Sequence, residues 1–345
     1  MRRLRAGELV EVRSLPEILA TLDSKGALEG MPFMPEMVPY CGRRFRVAMR
    51  AHKTCNTVDN TGGGRVERAV HLEQVRCDGS GHGGCQAYCL MFWKEAWLKR
   101  VEGPASAGAP PGDSRGRDGI PEAWSRVVEP GAGEGRVRYR CQVTDIPRFA
   151  KHLPWWDIRQ YIEDITSGNV GVAQFLRGVR FSLFRFWTFH GRGYRITVAL
   201  YNWVQRLRGG SSFPFVSGVL QKTPHLELGL QPGEWVRVKD FDDIVATLDT
   251  QSKNRGLGFD TSEMRLHCRK SFRVKHRIER IINERTGEMM QFSNPCITLE
   301  GVYCTGETTA RRLFCPRAIT PYWREIWLER ASASGSAAPK PPDAG

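Results

Sequence analysis

Hydrophobic and polar residues alternate with strand periodicity in several short segments of this chain. The alternation over residues 8–13 predicts a short strand, and residues 15–22 then have the spacing of a helix. After a loop rich in glycine and proline, alternation over residues 44–50 and 70–75 predicts a pair of strands. A loop with several cysteines follows, and residues 92–98 are predicted to form a short amphipathic helix that ends in Trp-Leu.

This order of segments occurs twice. Residues 7–23 (GELVEVRSLPEILATLD) align without a gap with residues 233–249 (GEWVRVKDFDDIVATLD), and WKEAWL at 93–98 corresponds to WREIWL at 323–328. Glu36 corresponds to Glu263 in the same alignment. The match indicates a duplicated module of about a hundred residues, which is the size of one domain.

Short strands around a small core favour an SH3-like or similar small barrel for each module. The predicted fold class is therefore α+β, with two repeated β-rich modules that flank a helical middle segment. The predicted domains are repeat module 1 at 1–101, a flexible Gly/Pro/Ser-rich linker at 102–135, the middle segment at 136–230, repeat module 2 at 231–331 and a disordered tail at 332–345.

The middle segment combines apolar stripes with arginines. Apolar residues recur there at helical spacing: Val172, Leu176, Val179, Leu183 and Trp187. Stripes of this kind are typical of buried helices, and we favour that interpretation on general grounds. Two alternatives stay open: a basic amphipathic element on an anionic membrane surface, and an arginine–aromatic surface that stacks single-stranded nucleic acid.

The charge of the chain adds a class of partner to this picture. The 345 residues carry a formal net charge of +14. This balance favours an anionic partner, such as a membrane surface, nucleic acid or a polyanionic glycan, although a solvated basic surface has the same composition. No apolar run reaches the roughly 18 residues of a membrane span, so no transmembrane segment is predicted. The sequence leaves the oligomeric state open.

The cysteines suggest a metal or catalytic centre. The chain has ten cysteines, and its basic N-terminus lacks the apolar core of a secretory signal, so we expect a cytoplasmic protein with reduced thiols. Clustered cysteines in a reducing compartment indicate metal binding or catalysis rather than disulfides, with inert buried cysteines as the alternative. The candidates lie in module 1: His52, Cys55, Cys77, His82, Cys85 and Cys89.

The predicted metal ligands are Cys55, Cys77, Cys85 and Cys89, because thiolates bind soft and borderline metals. His52 and His82 are reserves, either as substitute ligands or as hydrogen-bond partners of the ligands. Zinc is the simplest occupant, since a closed tetrahedral cysteine site stabilises a small module. An iron–sulfur cluster on the same thiolates is the alternative.

Module 2 keeps only part of this set. It retains Cys304 and Cys315, which correspond to Cys77 and Cys89. It has Ile282 opposite Cys55, so its site is predicted to be degenerate. The remaining cysteines are interpreted as core residues: Cys41, Cys141, Cys268 and Cys296.

Whether the chain is an enzyme stays open. A four-cysteine site leaves no coordination position for an activated water, whereas three cysteines with a nearby histidine would leave one. No phosphate-binding loop, dinucleotide fingerprint or serine-hydrolase elbow occurs, and no site for an organic cofactor is predicted. We favour a binding or scaffold protein with one metal-stabilised module, and a metalloenzyme with its centre in module 1 is the alternative.

One short resemblance concerns the cysteine loop. Cys77-Asp78-Gly79-Ser80, with His82 after one further residue, is similar to the signature of CDGSH-type iron–sulfur proteins. In that family three cysteines and one histidine hold a two-iron cluster. Here Gly81 interrupts the signature and the upstream Cys-x-Cys is missing, so we interpret the match as chance.

A second resemblance covers most of the chain. A group of bacterial proteins with the same two-copy layout is similar to it in four motifs: HKTC at 52–55, CDGSGHGGC at 77–85, FWKEAWL at 92–98 and FCPRAITPYWREIWL at 314–328. The resemblance implies a shared fold and a shared site. It implies no particular activity.

Overall fold

The computed structural model describes residues 2–59, 61–104, 120–129, 136–190, 194–208, 217–309 and 312–331. The fold is mixed α+β, with 23% helix, 31% strand and two curled half-barrel sheets. The chain divides into two compact units. Unit 1 comprises Met1–Val172, Arg280–Gln291 and Phe314–Ile319, and unit 2 comprises Ala173–Glu279, Phe292–Leu313 and Thr320–Gly345.

The strands of the described residues are β1 (Leu9–Val12), β2 (Ala27–Leu28), β3 (Met31–Pro32), β4 (Arg44–Arg50), β5 (Lys53–Asn56), β6 (Gly62–Val66), β7 (Ala69–Arg76), β8 (Leu90–Lys94), β9 (Leu98–Arg100), β10 (Arg126–Glu129), β11 (Arg136–Tyr139), β12 (Ala150–Leu153), β13 (Trp235–Val238), β14 (Lys253–Asn254), β15 (Leu257–Gly258), β16 (Ser271–Ile282), β17 (Met289–Leu299) and β18 (Leu328–Arg330). The helices are α1 (Leu15–Leu19), α2 (Ile146–Phe149), α3 (Arg159–Thr166), α4 (Val172–His190), α5 (Tyr194–Leu207) and α6 (Phe241–Val245). Short 3-10 helices cover Pro35–Tyr40, Glu95–Trp97, Glu122–Trp124, Met264–His267 and Glu325–Trp327.

Unit 1 is built on a five-stranded sheet with the order β8-β7-β4-β1-β9. Its central contacts follow from the alternation in β1, which buries Val10 and Val12 completely. Val10 pairs with Phe45 of β4 on one side and with Arg100 of β9 on the other, both antiparallel. A second sheet of the unit has the order β12-β6-β5.

Two tryptophans fill the core of unit 1. Trp93 and Trp97 are fully buried, and both meet the ring of Phe33 edge-on, with ring centroids 6.4 and 5.4 Å away. The indole N–H of Trp97 donates to the hydroxyl of Thr21 at 3.1 Å, so its polar atom is satisfied inside the core.

The predicted amphipathic helix at 92–98 is wrong. Residues Leu90–Lys94 form β8, Glu95–Trp97 form one 3-10 turn, and Leu98–Arg100 form β9. Every residue of β8 is buried, because both faces of this strand are covered. In a strand buried on both faces, apolar and polar residues do not alternate, so periodicity cannot distinguish its apolar run from a buried helix segment.

Unit 2 contains a four-stranded sheet with the order β17-β16-β13-β18. Val236 of β13 pairs with Phe272 and with Arg330, so β13 lies between β16 and β18 as β1 lies between β4 and β9. The indole N–H of Trp327 donates to the hydroxyl of Thr247 at 3.0 Å. In each unit, the edge strand (β9 or β18) therefore follows a buried tryptophan whose indole N–H donates to a threonine hydroxyl.

The middle segment is less helical than predicted. Strands β11 and β12 and the short helix α2 precede α3, α4 and α5. The interpretation of the apolar stripe as buried is wrong for Val172, Leu176 and Leu183, which are 63%, 61% and 56% exposed. The side chain of Trp187 lies outside the described part of the structure.

The two segments predicted to lack structure fall mostly outside the described residues. Residues 105–119 and 130–135 of the predicted linker and the whole predicted tail at 332–345 lie there. The described part of the linker region contains a 3-10 turn and strand β10, which pairs with β11. Among the described residues, no helix combines the length and the apolar character needed to cross a membrane.

A buried histidine predicts that acid destabilises unit 1. His71 is fully buried, its Nδ1 lies 2.9 Å from the carbonyl oxygen of Met91, and its Nε2 has no partner among the described residues. Burial lowers the pKa of His71 from 6.5 to about 4, although the hydrogen bond to Met91 opposes the shift. Between these values the unfolded chain takes up a proton that the folded chain excludes, so stability falls as the pH falls.

We expect the free energy of unfolding to fall by up to about 3 kcal/mol through this group between pH 6.5 and pH 4. Urea unfolding across that range measures the slope. His71→Gln can still donate to Met91 but cannot titrate, so its slope should be shallower than that of the wild type. Equal slopes in the two proteins would contradict the assignment.

Candidate metal centre

Four cysteines and one histidine line a single small cavity in unit 1. The cavity has a volume of about 30 Å³, enough for one ion or one water molecule. Its sulfur and imidazole groups come from Cys77, His82, Cys85, Cys89 and Cys141. The rest of the wall is largely apolar and includes Met34, Met91 and Ile282.

The loop between β7 and β8 brings three of these cysteines to the cavity. The backbone N–H of Cys77 donates to the carbonyl of Cys89 at 2.9 Å and closes the loop at its base. Inside the loop, the carbonyl of Gly79 accepts from the N–H groups of His82 and Gly84, both at 2.9 Å. Gly79 has φ +71°, and a Cβ there would lie 1.9 Å from the carbonyl oxygen of Cys85, so this turn requires glycine.

Glu36, Cys77 and His82 form the tightest group of possible ligands. One ligand atom from each lies within 4.8 Å of the others, and no other such group of three or more His, Cys, Asp or Glu occurs in the described residues. Glu36 comes from the 3-10 helix Pro35–Tyr40 and is buried. Cys77 is half-buried as a residue, but its thiol belongs to the buried group.

Glu36 and His82 form a buried ion pair. Nδ1 of His82 lies 2.6 Å from Oε1 of Glu36, and Nε2 lies 3.1 Å from the carbonyl oxygen of Arg140. Both partners are acceptors, so both ring nitrogens donate and the imidazole is protonated. The N–H of Gly81 also donates to Oε1 of Glu36, at 2.9 Å.

The pKa values of the pair agree with this assignment. Burial lowers the pKa of His82, but its hydrogen bond to Glu36, the charge of that carboxylate and the hydrogen bond to Arg140 together raise the pKa above its ordinary value. Burial raises the pKa of Glu36, but His82 and backbone hydrogen bonds together lower it below its ordinary value. A metal that used this imidazole would have to displace one of its protons.

Glu36 also has an oxygen that nothing satisfies. Its Oε2 is buried without a hydrogen-bond partner among the described residues. Leaving a buried carboxylate oxygen unpaired is costly, so such an atom points to an ion or a water at this position. The donor set of carboxylate, thiol and imidazole therefore fits a metal ion on an observation independent of the cysteine pattern.

The thiols around the cavity are held neutral by burial. Burial raises the pKa of Cys77 well above its ordinary value, raises that of Cys89 to about 11 and raises that of Cys141 to about 12. A bound cation would reverse this preference, because coordination deprotonates a thiol outright.

Backbone N–H groups already point at two of the sulfurs. The N–H of Ile282 donates to Sγ of Cys85 at 3.3 Å, and the N–H of Ala87 makes a second bond to that sulfur. The N–H of Gly79 bonds to the thiol of Cys77. These bonds lower the pKa of both thiols and would stabilise thiolate ligands.

The structure brings only part of the predicted ligand set together. Cys77, Cys85, Cys89 and His82 share the cavity, whereas Cys55 and His52 do not line it. Within the described ranges, no three cysteine sulfurs lie within 4.8 Å of one another. The four-cysteine site therefore stays a prediction.

Cys55 lies instead beside a cysteine from the far end of the chain. Its backbone N–H donates to Sγ of Cys315 at 3.1 Å, and the guanidinium of Arg317 lies 3.7 Å from Sγ of Cys55. The hydrogen bond between the two thiols, followed by burial, raises the pKa of Cys315 well above its ordinary value. Arg317 is buried and also pairs with Glu284 at 2.9 Å.

His52 belongs to a different polar cluster of unit 1. Its Nε2 lies 3.3 Å from the carbonyl of Gln160 and 3.2 Å from Oδ1 of Asp164. The other oxygen of Asp164 accepts from the ammonium of Lys53 at 2.6 Å. His52 therefore contacts α3 in the structure.

Sequence reasoning missed Glu36 and Cys141 as members of this site. The repeat alignment contained a signal for Glu36, because a glutamate, Glu263, occupies the equivalent position in the second copy. In the structure Glu263 is also buried, and its carboxylate accepts from the N–H groups of Thr305 and Thr308. Cys141 was interpreted as core because it has no neighbour in the cysteine pattern. Only the folded chain places it at the cavity.

No protein-family model matches the chain, and no curated protein sequence matches it. The fold and the site alone therefore define the class: an α+β protein with a buried cluster of Glu, Cys and His that could hold one metal ion.

Proposed function

We propose that this chain is a metal-binding protein with its centre in unit 1, at Cys77 and His82. The observation that carries the proposal is the buried group of three different donor atoms within 4.8 Å of one another, one residue of which also keeps an unpaired oxygen. Three more thiols, those of Cys85, Cys89 and Cys141, line the adjoining cavity.

Zinc is the metal that suits this site best, since it accepts sulfur, nitrogen and oxygen ligands together. An iron–sulfur cluster on the cysteines that line the cavity is the alternative occupant, and it would use the thiols rather than Glu36. The predicted ligand Cys55 would join the site only if β5 approached the cavity.

The proposed role of the metal is structural, within a binding or scaffold protein. An ion held by Glu36, Cys77 and His82 would link the 3-10 helix Pro35–Tyr40 to the loop after β7, and the energy of binding would become folding energy. We extend the proposal to two SH3-like modules that arose by duplication, of which only the first holds a metal. The shared strand pairing and the shared Trp–Thr hydrogen bonds support that extension.

The setting we propose is the cytoplasm, with an anionic partner. None of the ten cysteines, all of which lie in the described ranges, forms a disulfide bond, as expected in a reducing compartment. The net charge of +14 favours an acidic surface or molecule as the partner.

A metalloenzyme is the second candidate, and one observation favours it. The group contains three protein donors, and catalytic zinc sites keep three protein ligands with one open position. The buried position of the donors favours the structural role instead, because a substrate would have to reach the metal.

A competition experiment with a coloured chelator tests the proposed site. His82→Gln keeps a polar side chain but removes the imidazole, and we expect it to weaken zinc binding by about 10- to 100-fold or more. Cys41→Ser is the matched control, because Cys41 is a half-buried cysteine of the same unit that does not line the cavity. Equal affinity in His82→Gln and Cys41→Ser would contradict the site.

A further inference from the structure

The segment around α4 and α5 has one sign of charge only. No acidic residue occurs between Asp164 and Glu227. The same stretch holds basic residues throughout: Arg177, Arg180, Arg185, Arg192, Arg195, Arg206, Arg208 and Lys222. The segment therefore carries positive charge that no acidic residue within it offsets.

The two helices pack side by side. The rings of Phe184 in α4 and Tyr201 in α5 have centroids 5.4 Å apart. Phe184 lies near the end of α4 and Tyr201 at a similar distance from the start of α5, and only residues 191–193 separate the helices. Such a connection makes the pair antiparallel. Arg177 of α4 also forms an ion pair with Glu307 of the same unit.

Each helix leaves an apolar stripe exposed, and together these side chains are named the outer stripe. In α5 the spacing of four, three and four residues places its members on one face. All members are between 56% and 76% exposed: Leu176, Leu183, Ile196, Leu200, Trp203 and Leu207.

The two parts of the outer stripe face the same side of the helix pair. Leu183 directly precedes Phe184 and Leu200 directly precedes Tyr201, so in both helices the stripe has the same angular offset from the contact residue. In an antiparallel pair, equal offsets of the same hand bring both stripes to one side. Arg180, Arg206 and Arg208 are also exposed, and each lies within four residues of a stripe member along the chain.

The exposed apolar stripe and the nearby arginines together favour one kind of binding partner. An exposed apolar patch with a polar rim marks a binding surface. Nucleic acid would engage the arginines but would leave Leu and Ile in water. A second copy of the chain would cover the apolar residues but would bring arginine next to arginine. An anionic bilayer satisfies both, because its acyl boundary takes up the stripe and its phosphates pair with the arginines.

We infer that α4 and α5 lie in the interface of an anionic lipid bilayer, with the outer stripe toward the acyl chains. The helices lie on the membrane and do not cross it, since none of the described helices could span it. The inference rests on the anionic partner in the proposed function and names that partner as a lipid surface.

Vesicle co-sedimentation of the full chain tests this inference. The protein should bind phosphatidylglycerol vesicles, bind phosphatidylcholine vesicles at least about tenfold more weakly, and be released by salt. Leu200→Glu should weaken binding to the anionic vesicles by about tenfold or more, because it places a charge in the acyl boundary.

Leu266→Glu is the matched control. Leu266 is 50% exposed in the same unit but lies on the 3-10 helix Met264–His267, outside the outer stripe. The Leu266→Glu variant should bind the anionic vesicles as tightly as the wild type does. Circular dichroism checks that both variants are folded. Equal binding by the two variants, or no binding by the wild type, would overturn the inference. A dimer in solution that Leu200→Glu dissociates would also overturn it, in favour of a second copy.

The same samples separate this inference from the metal proposal. Cys77→Ser, which alters unit 1, should lose metal and still bind vesicles, provided that unit 2 stays folded by circular dichroism. If the wild-type protein keeps its metal but does not bind anionic vesicles, the membrane inference is contradicted and the metal proposal is not.

Discussion

Replacing Asp164 by alanine is expected to lower the free energy of unfolding by about 3–5 kcal/mol, because it leaves a buried ammonium without its counter-charge. Asp164 is fully buried, and its Oδ2 lies 2.6 Å from Nζ of Lys53, which is 4% exposed. Burial lowers the pKa of Lys53, and Asp164 is the main group that opposes this shift. Chemical denaturation measures the loss.

Two further variants make the Asp164 prediction specific. Glu67 pairs with Lys151 at 3.2 Å with both side chains largely exposed, so Glu67→Ala should cost less than about 1 kcal/mol. The double variant Lys53→Met/Asp164→Leu removes both buried charges and should be more stable than Asp164→Ala. If Asp164→Ala were no less stable than Glu67→Ala, the buried pair would not have the role described.

Replacing Cys77 by serine is expected to remove the metal and to destabilise unit 1 strongly. At a free metal concentration a hundredfold above Kd, the bound ion would contribute about 3 kcal/mol to the stability of the wild type. That contribution should vanish in Cys77→Ser and persist in Cys41→Ser. Thermal unfolding with and without a chelator measures it.

The chelator separates loss of metal from simple loss of packing. It should lower the melting temperature of the wild type and of Cys41→Ser while leaving that of Cys77→Ser unchanged. If the chelator had no effect on any of the three proteins, the stability of unit 1 would not depend on a metal.

The sequence predicted the elements whose pattern is local. Alternation in β1 and helical spacing in α1 were sufficient, because one face of each element is buried and the other is solvated. The same reasoning failed for β8, since a strand covered on both faces carries no alternation. It also failed for the stripe on α4, because spacing identifies a face without showing what covers it.

The candidate site was predictable only in part for a related reason. Cys77, His82, Cys85 and Cys89 belong to one loop, so their proximity follows from the sequence. Glu36 and Cys141 reach the cavity through tertiary packing, which spacing does not reveal. Conversely, His52 and Cys55 were predicted to belong to the same site as the loop cysteines. In the structure His52 instead contacts Asp164 of α3, and Cys55 of β5 contacts Cys315.

The relation of Cys315 to Cys55 also shows a limit of the repeat. Alignment of the two copies made Cys315 the counterpart of Cys89 in a degenerate module. In the structure, Phe314–Ile319 belongs to unit 1, where Cys315 accepts a hydrogen bond from Cys55. A residue that is equivalent in sequence therefore serves a different unit in the fold.

The most direct test is elemental analysis of the purified, reduced protein together with its visible absorption spectrum. We predict a colourless protein with one zinc ion per chain, retained in Cys41→Ser and lost in Cys77→Ser. A brown colour with broad visible bands would instead indicate that an iron–sulfur cluster, rather than zinc, occupies the cavity. Wild-type protein that is folded, reduced and free of metal, and that takes up none when zinc is added, would contradict the central claim.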